Sequence, residues 1–242
     1  MKKSERHQIK RNDLATVLEG AVSFFEEHRR AVLVAAAAVV IAAISALAVT
    51  HRLRSRQEEA SVRLAELIRM RRAPIALSLD PQQRPVPGLP TFATVRERDL
   101  RVIELADAIL EEYGSTRAAP KALYYRSIAL ADLERYEEAV ASWDRFLREH
   151  PRDFLAPLAR YNLGRVLEAQ GSPGEALLHY QALADDARAG LFPTEEGLLG
   201  IARCQEALGE REAALETYRR VLDEFPGSEY QVEARRKVDE LS

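Results

Sequence analysis

The sequence predicts an all-α chain: one membrane-length helix near the N-terminus, followed by a solenoid of stacked helical hairpins. Three observations carry this reading. Residues 31–50 hold no charge. Three alanines in equivalent settings, Ala139, Ala176 and Ala214, recur at spacings of 37 and 38 residues. Between these regions, Pro74, Pro81, Pro85, Pro87 and Pro90 forbid a continuous helix, because proline lacks the backbone donor and clashes with the preceding turn.

Composition narrows the function classes. The 242 residues suffice for one good-sized domain plus accessory segments, and the net charge of -3 excludes the strongly basic domain expected of a nucleic-acid binder. The charge is unevenly placed: residues 1–30 carry seven Lys/Arg against five acids, and 51–72 carry seven against three. These excesses of +2 and +4 leave -9 for residues 73–242, so basic residues flank the apolar run and the remainder is acidic. Cys204 is the single cysteine, which rules out an internal disulfide, and its position rules out a lipid-modified N-terminus.

Before the apolar run, Leu14, Val17, Leu18, Ala21, Val22 and Phe25 share one helical face behind Asn12 and Asp13 as caps. An amphipathic helix leading into a span lies in the headgroup region, continues the span or docks on a partner's helix. The run itself, AVLVAAAAVVIAAISALAVT, spans about 30 Å as a helix, the thickness of the hydrocarbon core. Val32, Leu33, Val34, Val39, Val40, Ile41, Ile44, Leu47 and Val49 together favour insertion by about 3–5 kcal/mol. Arg29, Arg30, Arg52 and Arg54 border it, which argues against a buried soluble helix. Ala46-Leu47-Ala48 has the form of a signal-peptidase site, but the long n-region and long apolar run favour an uncleaved signal-anchor. Lys and Arg tie on the two sides, so orientation rests on the short charged tail, which is hard to translocate; the N-terminus is expected in the cytoplasm and the domain outside.

Residues 51–72 extend as a juxtamembrane helix with Ala60, Leu64, Leu67 and Ile68 along one edge. The proline-rich spacer over 73–94 ends at Thr94-Val95-Arg96-Glu97, a capping box. The plan is therefore a tail (1–30), a transmembrane helix (31–50), a juxtamembrane helix (51–72), a spacer (73–94) and a repeat domain (95–242).

Within the repeat domain, three blocks share one arrangement: a helix with a small residue (Ser127, Gly164, Ala202), a turn, then a helix with a second small residue (Ala139, Ala176, Ala214) and an aromatic four residues on (Trp143, Tyr180, Tyr218). The small pair lets two helices approach, and the aromatic fills the space toward the neighbour. Ser172-Pro173-Gly174-Glu175 reads as a capping box with proline at the first helical position, and Ser228 with Gln231 as another.

These blocks resemble tetratricopeptide repeats over residues 120–228, with 97–113 as the second helix of a degenerate preceding repeat and 229–241 as a capping helix. The pattern departs where Arg126 takes a usually apolar position, where Glu134 replaces the turn glycine, and where the second block lacks its closing proline. With the tail motif Phe24-Phe25-Glu26-Glu27-His28-Arg29-Arg30 and the single span, the whole chain is similar to the ancillary subunit family of the bacterial Sec translocon. That resemblance implies an inner-membrane anchor and a periplasmic repeat domain meeting translocon subunits, periplasmic chaperones or client proteins.

Catalytic signals are lacking. The histidines His7, His28, His51, His150 and His179 have no metal-site spacing, no phosphate-binding glycine loop is present, and Cys204 has no histidine beside it and reads as core. No cofactor, metal, nucleic acid or small-molecule substrate is expected, and the chain reads as a binder rather than an enzyme. First helices line the concave side of such a solenoid. The repeat family contacts peptides through the second, fifth, ninth and twelfth positions of each first helix. Carried over, these are Lys121, Tyr124, Ile128 and Ala131, then Leu158, Tyr161, Arg165 and Glu168, then Glu196, Leu199, Arg203 and Glu206. Arg165–Glu168 and Arg203–Glu206 read either as polar handles of a groove or as i,i+3 pairs on the helix surface. The residues do not follow the carboxylate-clamp pattern of chaperone-binding repeats. The resulting expectation is a membrane-anchored scaffold or chaperone-like adaptor near the Sec translocon, with an adaptor in cell-wall assembly or division as the alternative.

Overall fold

The structure is a computed structural model, and it describes residues 28–76, 90–185 and 194–242. The amphipathic segment expected over Leu14–Phe25, and Pro81, Pro85 and Pro87 of the spacer, lie outside the described residues. The chain divides into two compact units, residues 1–55 and 56–242.

In the first unit the described residues form the N-terminal part of α1 (Arg29–Arg71). Its apolar stretch is long enough to cross a membrane, and none of that window is buried. Val34, Val39, Ile41 and Leu47 are all more than 60 % exposed, so apolar side chains point outward on every face. A helix apolar all round, and uncovered by the other described residues, is suited to lipid.

The second unit consists of helices. After the last turns of α1 come α2 (Val95–Tyr113), α3 (Ala119–Asp132), α4 (Tyr136–Glu149), α5 (Ala156–Ala169), α6 (Pro173–Ala184), α7 (Thr194–Ala207), α8 (Arg211–Glu224) and α9 (Gln231–Leu241). Residues 56–71 of α1 pair with α2: Ala60, Leu64 and Leu67 are buried in one cluster with Val102, Ala106 and Ile109. Arg56 donates to the Glu112 carbonyl at 2.5 Å at one end, and Arg71 reaches Asp99 at 3.3 Å at the other, so the two helices run antiparallel. Asp99 is fully buried and also accepts from Arg98 at 2.9 Å, which compensates its charge. The segment expected as a juxtamembrane extension thus supplies the first helix of an N-terminal hairpin, with 97–113 as its second. The spacer's ends meet through an Ile75–Phe92 bridge, with Ala76 N–H donating to the Phe92 carbonyl at 2.8 Å. Thr94 caps α2 as expected, Glu97 N–H donating to Thr94 Oγ1 at 3.1 Å, but the return bond of a full capping box shifts by one residue, Ala93 N–H donating to Glu97 Oε2 at 3.0 Å.

α3–α4, α5–α6 and α7–α8 are the three predicted hairpins, and each closes by the same turn. Arg135, Ser172 and Glu210 N–H donate to the carbonyls of Leu130, Leu167 and Gln205, while Glu134, Gly171 and Gly209 N–H donate to those of Ala131, Glu168 and Glu206. This is the Schellman arrangement, and it requires a left-handed residue, with φ of 59° at Glu134, 77° at Gly171 and 79° at Gly209. The turn also overrides the capping box expected at Ser172. Arg135, Ser172 and Glu210 all stand at ψ near 61°, away from the extended backbone of a capping residue, and Ser172 makes no side-chain cap hydrogen bond. Gln231 likewise departs from its expected role: its amide donates to the carbonyls of Leu222 and Phe225 at 3.1 and 2.9 Å, closing the end of α8 rather than the start of α9.

The small positions pack as the spacing predicts. Ser127, Ala139, Gly164, Ala176, Ala202 and Ala214 are all buried, and Trp143, Tyr180 and Tyr218 are fully buried. Ser127 and Ser142 share a 2.7 Å hydrogen bond across the first hairpin, so the polar atoms there are mutually satisfied.

Candidate protein-binding face

The first helices α3, α5 and α7 carry the twelve sequence-predicted positions. Tyr124 and Leu199 are buried in the core, Arg165 is exposed, and the other nine are half-buried. Tyr124 packs edge-on against Trp143 at 5.1 Å, and burial pushes its phenol above the ordinary value. Tyr161 lies against Tyr180 at 6.1 Å, with the Arg165 guanidinium 5.9 Å from its ring. Burial, followed by the Glu196 carboxylate, pushes the Tyr161 phenol up to about 12.

Glu168 and Glu206 take their cations from other helices rather than from Arg165 and Arg203 three residues before them. Glu168 accepts from Arg203 Nε and Nη2, each at 3.0 Å, and from the Tyr180 hydroxyl at 2.5 Å. Glu206 accepts from the Tyr218 hydroxyl at 2.5 Å and from Lys237 of α9 at 2.9 Å. Glu196 accepts from the Tyr230 hydroxyl at 2.5 Å. The i,i+3 alternative is therefore replaced by pairs across the joints between hairpins. A partner one hairpin away is fixed by packing, whereas an exposed i,i+3 pair must order two long side chains for a few tenths of a kcal/mol. Burial opposes the charge of Arg203, yet Glu168 outweighs it and raises the guanidinium pKa further. Burial, then the bond to its carboxylate, raises the phenols of Tyr180 and Tyr218.

At the joint between the first two hairpins a cavity of about 190 Å³ opens, lined by Ile128, Ala131, Asp132, Tyr136, Trp143, Asn162, Arg165, Val166 and Ala169. Three of the twelve positions, Ile128, Ala131 and Arg165, meet there. Asp132 in its wall is paired with Arg71 at 2.6 Å, and Asn162 donates to the Leu158 carbonyl at 2.9 Å. Trp143 Nε1 is buried without a hydrogen-bond partner. By spacing alone Trp143 has a packing role, and Asn162 falls outside the twelve carried-over positions. The signal for Trp143 was available: the residue twelve positions earlier is Ala131, where the other hairpins have Glu168 and Glu206. Cys204 is 1 % exposed, and burial pushes its thiol up to about 12, which keeps it in the unreactive protonated form.

Tetratricopeptide repeat family profiles match residues 124–192 and 196–228, so the chain carries tetratricopeptide repeats there. Such repeats are protein-interaction scaffolds. No curated protein matches the sequence. Among solved structures, PilW, a widely conserved type IV pilus biogenesis factor, is similar at 22 % identity with a TM-score of 0.50. That match covers 57 % of this chain and 60 % of PilW, less than two thirds of its length. A putative kinesin light chain of Podosopora anserina with nearly identical TPR-like repeats is 13 % identical, with a TM-score of 0.53 over 78 % of this chain and 85 % of that one. MamA from Desulfovibrio magneticus RS-1 is 19 % identical at a TM-score of 0.47, covering 60 % of this chain and 85 % of that one. These likenesses concern the fold.

Proposed function

We propose, from the premise that this chain carries tetratricopeptide repeats, that it is a membrane-anchored scaffold of the bacterial cell envelope that holds other proteins near the Sec translocon. The observation that carries the binding part is the cavity between the first two hairpins, where Ile128, Ala131 and Arg165 converge from consecutive first helices. An apolar recess with a few convergent polar groups is the ordinary form of a recognition site. The anchor rests on α1, whose outward apolar side chains have no partner among the described residues. The translocon and its chaperones enter through the sequence resemblance, and so does placement of the repeats outside the cytoplasm. Of the twelve carried-over positions, Arg165 is the natural handle, because Arg203 and Glu168 are engaged with one another.

Crosslinking in intact membranes followed by purification tests this reading. Translocon subunits or extracytoplasmic chaperones should be captured by the natural protein and captured less by Arg165→Gln. Enrichment of cell-wall or division proteins instead supports the alternative process, and an inactive C-terminal alkaline phosphatase fusion would remove the extracytoplasmic placement.

A further inference from the structure

The joints between hairpins repeat one polar device. At the end of α5, Glu168 takes a hydrogen bond from the aromatic twelve residues later, Tyr180, and a bidentate pair from Arg203 in the following hairpin. At the end of α7, Glu206 takes the same two kinds of contact from Tyr218 and Lys237. In the first hairpin the matching register holds Ala131 in place of the glutamate, Trp143 in place of the tyrosine, and Arg165 in place of Arg203. The donors are kept and the acceptor is missing. The indole Nε1 of Trp143 is buried with no acceptor among the described residues, the Arg165 guanidinium is exposed over Tyr161, and Ala131, Trp143 and Arg165 all line the cavity of about 190 Å³.

We propose that this joint is a binding site for a glutamate side chain of a partner protein, which supplies from outside the carboxylate that Ala131 lacks. The inference rests on the scaffold reading above. A glutamate side chain is the argued occupant because this chain's own glutamates fill the two equivalent joints. The apolar walls of Ile128, Ala131 and Val166 suit its methylene stem, while an indole N–H and a guanidinium match its head. The neighbouring Asp132 is held by Arg71 at 2.6 Å, which offsets its charge at the site. A buried donor left without an acceptor is a standing cost in the free protein, and a carboxylate that satisfies it gains more than one docking on a solvated surface.

Trp143 is the only tryptophan of the chain, so one indole ¹⁵N–¹H resonance reports on the site. The full chain in detergent micelles, at about 0.15 M salt to screen surface charge, is titrated with end-capped hexaglutamate, end-capped hexaglutamine, and hexaglutamine with a free C-terminal carboxylate. Capped hexaglutamate should shift the indole resonance saturably, and the two glutamine peptides should not. Arg165→Gln should weaken that response about tenfold or more, as loss of a charge-assisted bond does. Ala131→Glu completes the joint from within, so its indole should be shifted already and unresponsive to peptide. Ala131→Gln occupies similar space without the charge, which separates occupancy from steric damage should the glutamate variant fold poorly. An equal response to capped hexaglutamine, a response to the free C-terminus alone, or natural-strength binding by a folded Ala131→Glu overturns the proposal. The membrane crosslinking separates the two readings: neighbours captured equally by Ala131→Glu, with no peptide response, sink the glutamate site and leave the scaffold. A peptide response with no captured neighbour does the reverse.

Discussion

Arg203 grips Glu168 across the joint between consecutive hairpins, with Nε and Nη2 each 3.0 Å from a different carboxylate oxygen. The pair links two first helices 35 residues apart in sequence, so it fixes how one hairpin sits on the next. Both side chains are partly exposed, which moderates its energetic weight. Arg203→Met should lower stability by about 1 kcal/mol, and a double-mutant cycle with Glu168→Gln should recover a coupling of similar size. Denaturant midpoints measure it; a coupling near zero would show that the joint is held by packing alone.

Tyr180 occupies a slot between two glycines. A Cβ added at Gly164 or at Gly200 would stand 2.7 Å from its ring, and the ring is fully buried and has nowhere to go. Gly164→Ala and Gly200→Ala should each cost about 1–3 kcal/mol by overpacking. Pairing either with Tyr180→Leu should cost less than the sum of the single changes, because the clash partner has been removed. Thermal unfolding of the three single and two double variants provides the comparison.

Glu134 holds a left-handed backbone, φ 59°, that the two equivalent turns assign to glycine. The strain of a side chain there is about 1 kcal/mol. Glu134→Gly should therefore stabilise the protein despite adding freedom to the unfolded chain, with a melting temperature higher by about 2–4 °C. The same substitution made at an ordinary helical position, such as Glu137, should destabilise.

Glu206 gives the joint between α7 and α9 a pH dependence. Burial works to raise its pKa, but hydrogen bonds from Tyr218 and Lys237 prevail and hold it below the ordinary 4.5. A depressed folded-state pKa means that the contribution is complete above the unfolded value and is lost as pH falls through the folded one. The stability gap between the natural protein and Glu206→Gln should thus be steady between about pH 7 and 5 and shrink toward about pH 3. A gap that grows on acidification would reverse the assignment.

Much of the fold was legible because hairpin packing is written in short-range spacing: the pairs Gly164–Ala176 and Ala202–Ala214 and the aromatics behind them each sit within one hairpin. The cap at Thr94 was legible for the same reason, since Thr94 and Glu97 lie in one turn. Ser172 was not, because the backbone of a Schellman turn, rather than the residue's own capping tendency, sets its ψ. The candidate site was less legible still. Arg203 has an acid three residues on, Glu206, and local spacing favours that pair; only the stacking of hairpins shows that its carboxylate is Glu168. Trp143 read as an aromatic filler, and its buried Nε1 became meaningful once the tyrosines at the same register were seen to donate.

The antiparallel pairing of residues 56–71 with α2 also decides where the repeat region can be cut free. A fragment begun after the proline-rich stretch would uncover Val102, Ala106 and Ile109 and leave the buried Asp99 without Arg71. Terminal hairpins of a solenoid need a covered outer side to stay soluble. A recombinant domain begun at Arg56 keeps that cover and should elute as a single species, whereas one begun at residue 95 should aggregate, a difference that size-exclusion chromatography reads directly. The last turns of α1 are therefore the lid of the solenoid's first layer, and any soluble version of this protein has to carry them along.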